Sequence, residues 1–146
     1  DDTVHLLGGD DTYNASGGND SVFGEAGNDN LAGGLGADLL DGGANNDALT
    51  GGDGKDTLKG GGGNDVLTGD GANQVARAST TSGGFNASAG GVDILLGGGG
   101  RDRLIGGAGL DSLNGGPGRD VCIVDSRKEK RRARSCETIR LRRGHA

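Results

Sequence analysis

Aromatic residues are nearly absent from this chain of 146 residues: Tyr13, Phe23 and Phe85 stand alone, with no tryptophan and no methionine. Apolar residues make up 31%, well below the ~45–50% of an ordinary globular domain. An interlocking core of Leu, Phe and Trp cannot be built from that stock. Proline occurs once, as Pro117, and the longest clean apolar run is Val121 to Val124, far short of the ~20 residues that cross a bilayer as a helix. The opening Asp1-Asp2-Thr3 lacks a basic and apolar leader, so a mature form or a fragment is expected. Glycine is the opposite case, with 35 residues. They come in pairs and quartets instead of every third position, which excludes collagen. Two classes remain: a disordered glycine-rich tract, or a repeat protein supported by something other than a core.

The net charge of -6 conceals two opposed parts. Residues 1–126 carry 19 acidic and six basic side chains, and residues 127–146 carry nine basic and two acidic ones. The first part repels itself unless cations neutralise it. The second reads as a solvated basic tail.

The aspartates decide the class. Asp2, Asp11, Asp20, Asp29, Asp38, Asp47, Asp56 and Asp65 fall nine residues apart, and Asp93, Asp102, Asp111 and Asp120 resume the spacing. Two residues after each lies Val4, Tyr13, Val22, Leu31, Leu40, Leu49, Leu58, Leu67, Leu95, Leu104, Leu113 or Cys122. Two residues before it lies glycine in all complete repeats but one, where Asn45, tolerant of a left-handed backbone, takes its place. The clean unit Gly51-Gly52-Asp53-Gly54-Lys55-Asp56-Thr57-Leu58-Lys59 reads G-G-x-G-x-D-x-U-x, with U large and apolar. Disorder gives no reason to hold Asp and Leu in phase, and keeps its claim only on a metal-free state.

The first six positions are glycine-rich and turn sharply, pointing carbonyls into the bend. The last three alternate polar, apolar, polar, as in a short half-buried strand. Two units per coil predict an 18-residue parallel winding with one apolar side chain inward from each strand. Six coils would stack into a rod ~29 Å long. Its interior column is too thin to offset the ordering of so many glycines.

The aspartates supply the missing term. An 18-residue coil stacks Asp2, Asp20, Asp38, Asp56, Asp93 and Asp111 in one ladder, and Asp11, Asp29, Asp47, Asp65, Asp102 and Asp120 in the other. Carboxylates one strand spacing apart repel unless a cation sits between them. Carboxylate plus backbone carbonyl, without His or Cys, is a hard-oxygen site suited to calcium over magnesium. The plainer reading, that each Asp caps its own turn, accounts for one or two of them and not for two ladders.

On these motifs the chain resembles the RTX (repeat-in-toxin, haemolysin-type) calcium-binding nonapeptide repeat family, over residues 1 to about 123. The resemblance implies an all-β fold, a right-handed parallel β-roll of about six coils, with calcium between successive turns. It implies ligands from the position-six aspartates, Asp11 through Asp120, and from carbonyls of the turns, for example at Gly33, Gly51, Gly60, Gly97, Gly106 and Gly115. It also implies a secreted, extracellular protein that folds where calcium is available. Extracellular calcium modules bind at ~10⁻⁴–10⁻³ M, so binding energy becomes folding energy.

Three departures stand out. The units ending in Asp11 and Asp20 begin Leu6-Leu7 and Ala15-Ser16 instead of Gly-Gly, which puts calcium at that end in doubt. The register also starts mid-repeat, as if coils or another domain lay upstream. Between Asp65 and Asp93 the spacing is 28 residues, and the stretch of about 73–92 is either a 19-residue surface excursion or two decayed repeats with one extra residue. Calcium sites across that break are expected to be lost, leaving up to about eight ions. Finally, Cys122 takes an inward position and Cys136 follows 14 residues later. Two cysteines in a secreted-looking chain favour a disulfide over free thiols. Residues 124–146 then form a basic cap beyond a roll of 1–123, with Ile139 and Leu141 alternating as in a strand. The tail also resembles the Cys-paired endings of actinobacterial calcium-binding repeat proteins.

Enzyme chemistry is not in evidence. His5 and His145 sit at opposite ends and no H-E-x-x-H occurs. No G-x-S-x-G elbow and no phosphate loop are present. The sequons at Asn14 and Asn86 matter only in a eukaryotic secretory pathway. Without interleaved aromatics, nucleic acid is not expected as a partner. Two readings remain: a calcium-responsive extracellular module that is not an enzyme, or the C-terminal folding and secretion appendage of a larger hydrolase, toxin or adhesin.

Overall fold

In a computed structural model that describes residues 1–69, 92–107, 110–124 and 133–141, thirteen strands among the described residues wind into a parallel β-solenoid of about six coils. The strands are β1 (Thr3–His5), β2 (Thr12–Asn14), β3 (Ser21–Ala26), β4 (Asn30–Leu35), β5 (Leu39–Ala44), β6 (Ala48–Asp53), β7 (Thr57–Gly62) and β8 (Val66–Thr68). After the interruption come β9 (Ile94–Gly99), β10 (Arg103–Ile105), β11 (Ser112–Asn114), β12 (Val121–Val124) and β13 (Thr138–Leu141). Odd strands β1 to β11 make one six-stranded sheet, and even strands β2 to β12 make the other, with β13 added beside β12. Every pairing is parallel, and the register advances one coil per step, as in Thr3↔Ser21 and Asn30↔Ala48.

The U positions face inward as the period requires. Val22, Leu31, Leu40, Leu49, Leu58, Leu67, Leu95, Leu104, Leu113 and Cys122 are fully buried in one column. Val4 and Tyr13, at the open end of the stack, are only half-buried. Val124 joins the column as well, at the position where a further repeat would begin.

The strands are longer than the triplet pattern predicts. β3 to β7 and β9 run six residues because the leading glycines also pair, as in Gly43↔Gly61 and Gly61↔Gly98. Position-two residues there adopt positive φ, from Gly34 at 109° to Gly98 at 101°, while the ladder continues through them. In the worn turns Leu7, Ser16 and Glu25 take the same left-handed backbone, at 74°, 76° and 73°.

The strands on either side of the interruption are neighbours. β7 pairs directly with β9 (Thr57↔Ile94), and β8 with β10 (Val66↔Arg103). Residues 70–91, on which the choice between a surface excursion and decayed repeats falls, lie outside the described residues. The C-terminal segment is tied back by a Cys122–Cys136 disulfide, with Cα atoms 5.9 Å apart. The basic residues 125–132 and 142–146 also lie outside the described residues.

Candidate metal centre: two internal carboxylate ladders

Both predicted ladders form. In each coil the backbone N–H of the repeat aspartate donates to Oδ1 of the aspartate one coil on: Asp2 to Asp20 (2.6 Å), Asp20 to Asp38 (2.8 Å) and Asp38 to Asp56 (2.9 Å). The other ladder runs Asp11 to Asp29, Asp29 to Asp47 and Asp47 to Asp65, each 2.9 Å. Across the interruption Asp56 N–H donates to Asp93 (2.8 Å) and Asp65 N–H to Asp102 (2.9 Å). Asp93 and Asp102 then donate to Asp111 and Asp120 at 2.9 Å. The ladders pass the interruption between Asp65 and Asp93 without a gap, as the common register of the two sets of aspartates predicts, since stacking depends on coil geometry and not on the length of chain between coils.

Oδ1 thus has a structural task, closing the turn of the preceding coil. Oδ2 has none. In Asp11, Asp20, Asp29, Asp38, Asp47, Asp65, Asp102 and Asp120 it is buried and accepts no hydrogen bond. Turn capping explains one oxygen of Asp20, Asp29, Asp38, Asp47, Asp65, Asp102 and Asp120 and leaves the second unsatisfied, an arrangement costly for a charged group without a counter-charge.

The surroundings raise that cost. Burial pushes the carboxyls of Asp47 and Asp65 up to about 6, with neighbouring ladder carboxylates adding to the shift. Asp38 and Asp102 are raised for the same reasons, burial first. Backbone donation to Oδ1 opposes the rise in all four and does not overcome it.

Glycine at position one keeps the space beside Oδ2 open. A methyl group on Gly33 would run into Asp38 Oδ2 and stand 2.8 Å from the carbonyl oxygen of Gly51. Gly51 repeats the arrangement with Asp56 and the Gly69 carbonyl at 2.6 Å, and Gly60 with Asp65 and the Gly97 carbonyl at 2.5 Å. Gly97 meets Asp102 and the Gly115 carbonyl at 2.5 Å, and Gly106 meets Asp111. Gly24, Gly42 and Gly69 make equivalent cradles beside Asp29, Asp47 and Asp93. These three belong with the candidate residues, and their place at the head of each nonapeptide is the sequence signal that identifies them. Each cradle therefore offers a carboxylate oxygen where a Cβ would stand, joined at Gly24, Gly33, Gly51, Gly60, Gly69, Gly97 and Gly115 by a facing carbonyl, a donor set of hard oxygens that fits calcium. No cluster of three or more His, Cys, Asp or Glu side chains suited to a metal occurs among the described residues, so an ion here must draw on the backbone.

At the N-terminal end the cradles are filled. Leu6 and Ala15 occupy position one and pack against the core, although Asp11 and Asp20 keep their places in the ladders. A further, exposed pair of ladders escapes the sequence reading. Side-chain oxygens of Asp1, Asp10, Asn19, Asn28, Asn46 and Asn64 accept the backbone N–H of Asn19, Asn28, Ala37, Asn46, Asn64 and Arg101 at 2.7–3.1 Å. Its signal is the recurrence of Asp or Asn at position five of the repeat.

A parallel solenoid with glycine-walled carboxylate cradles along both bends is a calcium-binding repeat module. The profile of the RTX calcium-binding nonapeptide repeat matches residues 7–40, 41–73 and 89–122, and the chain belongs to that family. No curated protein matches the chain.

Proposed function

We propose that the chain is an extracellular calcium-binding module that folds as it takes up several calcium ions between its stacked turns. The observation that carries this reading is the row of buried Oδ2 atoms without hydrogen-bond partners, in Asp29, Asp38, Asp47, Asp65, Asp102 and Asp120, each beside a glycine that leaves room for an ion. A bound cation supplies the missing partner and cancels the repulsion along each ladder. Residues 1–123 form the calcium-binding roll and 124–146 the cap.

Nine cradles are open, at Gly24, Gly33, Gly42, Gly51, Gly60, Gly69, Gly97, Gly106 and Gly115. At one ion each they set an upper bound one higher than the sequence-based count, because the interruption removes no cradle. Asp11 and Asp20, beside Leu6 and Ala15, do not bind. The Cys122–Cys136 disulfide suits a secreted protein.

Far-ultraviolet circular dichroism during a titration from about 10 μM to about 10 mM calcium, with magnesium as control, tests the reading. The expected result is a cooperative rise of β signal with calcium alone. A full β signal in chelator would show that calcium is not needed for folding. A chain that stays coil throughout would defeat the reading altogether.

A further inference from the structure

The last cradle of the even-stranded side is built from two unlike parts. Asp120 is completely buried, Asp102 N–H donates to its Oδ1, and its Oδ2 accepts no hydrogen bond. Beside it stands Gly115, whose missing Cβ leaves the usual opening. In interior turns the facing carbonyl belongs to a glycine of the next coil, as Gly51 does for Gly33. Beyond Gly115 there is no further nonapeptide. The carbonyl facing the opening comes from Ser135 instead, 2.6 Å from where a Gly115 methyl would lie.

Ser135 reaches that position through non-repeat chain. Its backbone is left-handed, with φ 52°. Gly115 N–H donates to Arg134 O (3.0 Å), Arg134 N–H donates to Leu113 O (2.8 Å), and Thr138 N–H donates to Asp120 O (3.2 Å). The neighbouring Cys136 is bonded to Cys122 inside the column. The disulfide therefore anchors the residue next to the carbonyl that completes the cradle.

We propose that Asp120 and the Ser135 carbonyl form a terminal calcium site, completed only while the Cys122–Cys136 disulfide holds residues 133–141 against β11 and β12. This rests on the calcium reading above. Calcium at this site and oxidation of the two cysteines then favour each other, and linkage requires the effect to be reciprocal. Interior sites, walled by repeat glycines on both sides, are linked to the disulfide only through folding of the roll as a whole.

The full-length chain is equilibrated with mixtures of reduced and oxidised dithiothreitol, in saturating calcium and in chelator. Reduction transfers two electrons and two protons to the Cys122–Cys136 bond, giving two thiols and cyclic dithiothreitol disulfide. Calcium is expected to shift the midpoint ratio about tenfold toward the disulfide. Asp120→Asn removes most of that shift, and so does Gly115→Ala, which fills the opening but leaves the carboxylate. Asp38→Asn, in the other ladder, loses an ion but keeps the shift. Equilibrium dialysis adds a second reading, with the reduced and alkylated chain binding one ion fewer than the oxidised one. The proposal is overturned if wild type gains β signal with calcium while its midpoint is unmoved, if Asp120→Asn keeps the shift, if Asp38→Asn loses it equally, or if the ion count does not change. Absence of any calcium-induced β signal defeats the underlying calcium reading, and this one with it.

Discussion

A methyl group is the smallest probe of a cradle. At Gly51 it would meet Asp56 and the Gly69 carbonyl, and the backbone of the facing turn leaves it no room to relax. Gly51→Ala is expected to bind one calcium ion fewer and to lose ~1–3 kcal/mol of stability in calcium. Gly62 has open space where a methyl would stand and no left-handed φ, so Gly62→Ala should lie within ~0.5 kcal/mol of wild type. Dialysis and urea unfolding at fixed calcium measure both. Equal losses at the two positions would mean that glycine matters for backbone freedom and not for the opening. The roles of Gly24, Gly42 and Gly69 follow the same logic, and position in the nonapeptide already separates Gly51 from Gly62. What position could not reveal is that the two carboxylate oxygens differ, one bonded to a neighbouring N–H and the other left over.

At the scale of the element, the informative stretch is the passage from β8 to β9. Removing residues 72–90 leaves Gly69-Asp70-Gly71-Gly91-Val92-Asp93-Ile94-Leu95-Leu96, a regular nonapeptide, and brings the 37-residue step from Asp56 to Asp93 down to the standard 18. Since β7 already pairs with β9 and β8 with β10, the shortened chain should bind as many calcium ions as wild type. Its calcium midpoint should be equal or lower, because loop closure over 19 fewer residues costs less, by ~1 kcal/mol or below. A loss of two ions would show instead that the excursion supplies ligands. The excursion and the decayed-repeat reading were indistinguishable from Asp65–Asp93 spacing, since both keep the aspartates in the same ladders. The direct pairing of strands on either side favours the excursion, and the shortened chain tests it.

For the whole molecule, the dominant electrostatic fact is a rod of buried carboxylates, among which Asp38, Asp47, Asp65 and Asp102 carry raised proton affinity. Below the ordinary carboxylate range Asp47 and Asp65 are protonated whether the chain is folded or not. Between that range and about 6 the folded chain keeps protons that the unfolded chain has released. Above about 6 both are charged and the calcium-free roll bears the full penalty. Stability of the roll in chelator should therefore fall as pH rises from ~4 to ~6 and then level off. Calcium acts in the opposite sense, because it competes with those protons for the same oxygens. The calcium midpoint should rise steeply below pH ~6 and stay flat above it. Circular dichroism at a series of pH values, with and without calcium, reads both trends, and a midpoint independent of pH would remove the ladder carboxylates from the site.

The nine-residue period by itself determined the coil length, the parallel pairing, the inward column from Val22 to Cys122 and the membership of both ladders. These follow from local chemistry: glycine where the chain must turn, a branched apolar side chain where a strand faces in, and a carboxylate at one fixed place. The pairing of Cys122 with Cys136 was also legible from cysteine count and chain character. Tertiary structure decided the rest. It carried the ladders across the interruption, since neighbours in a solenoid are set by stacking and not by sequence distance. It also brought the carbonyl of Ser135 opposite Asp120, a contact between repeat and non-repeat chain that no periodicity can encode.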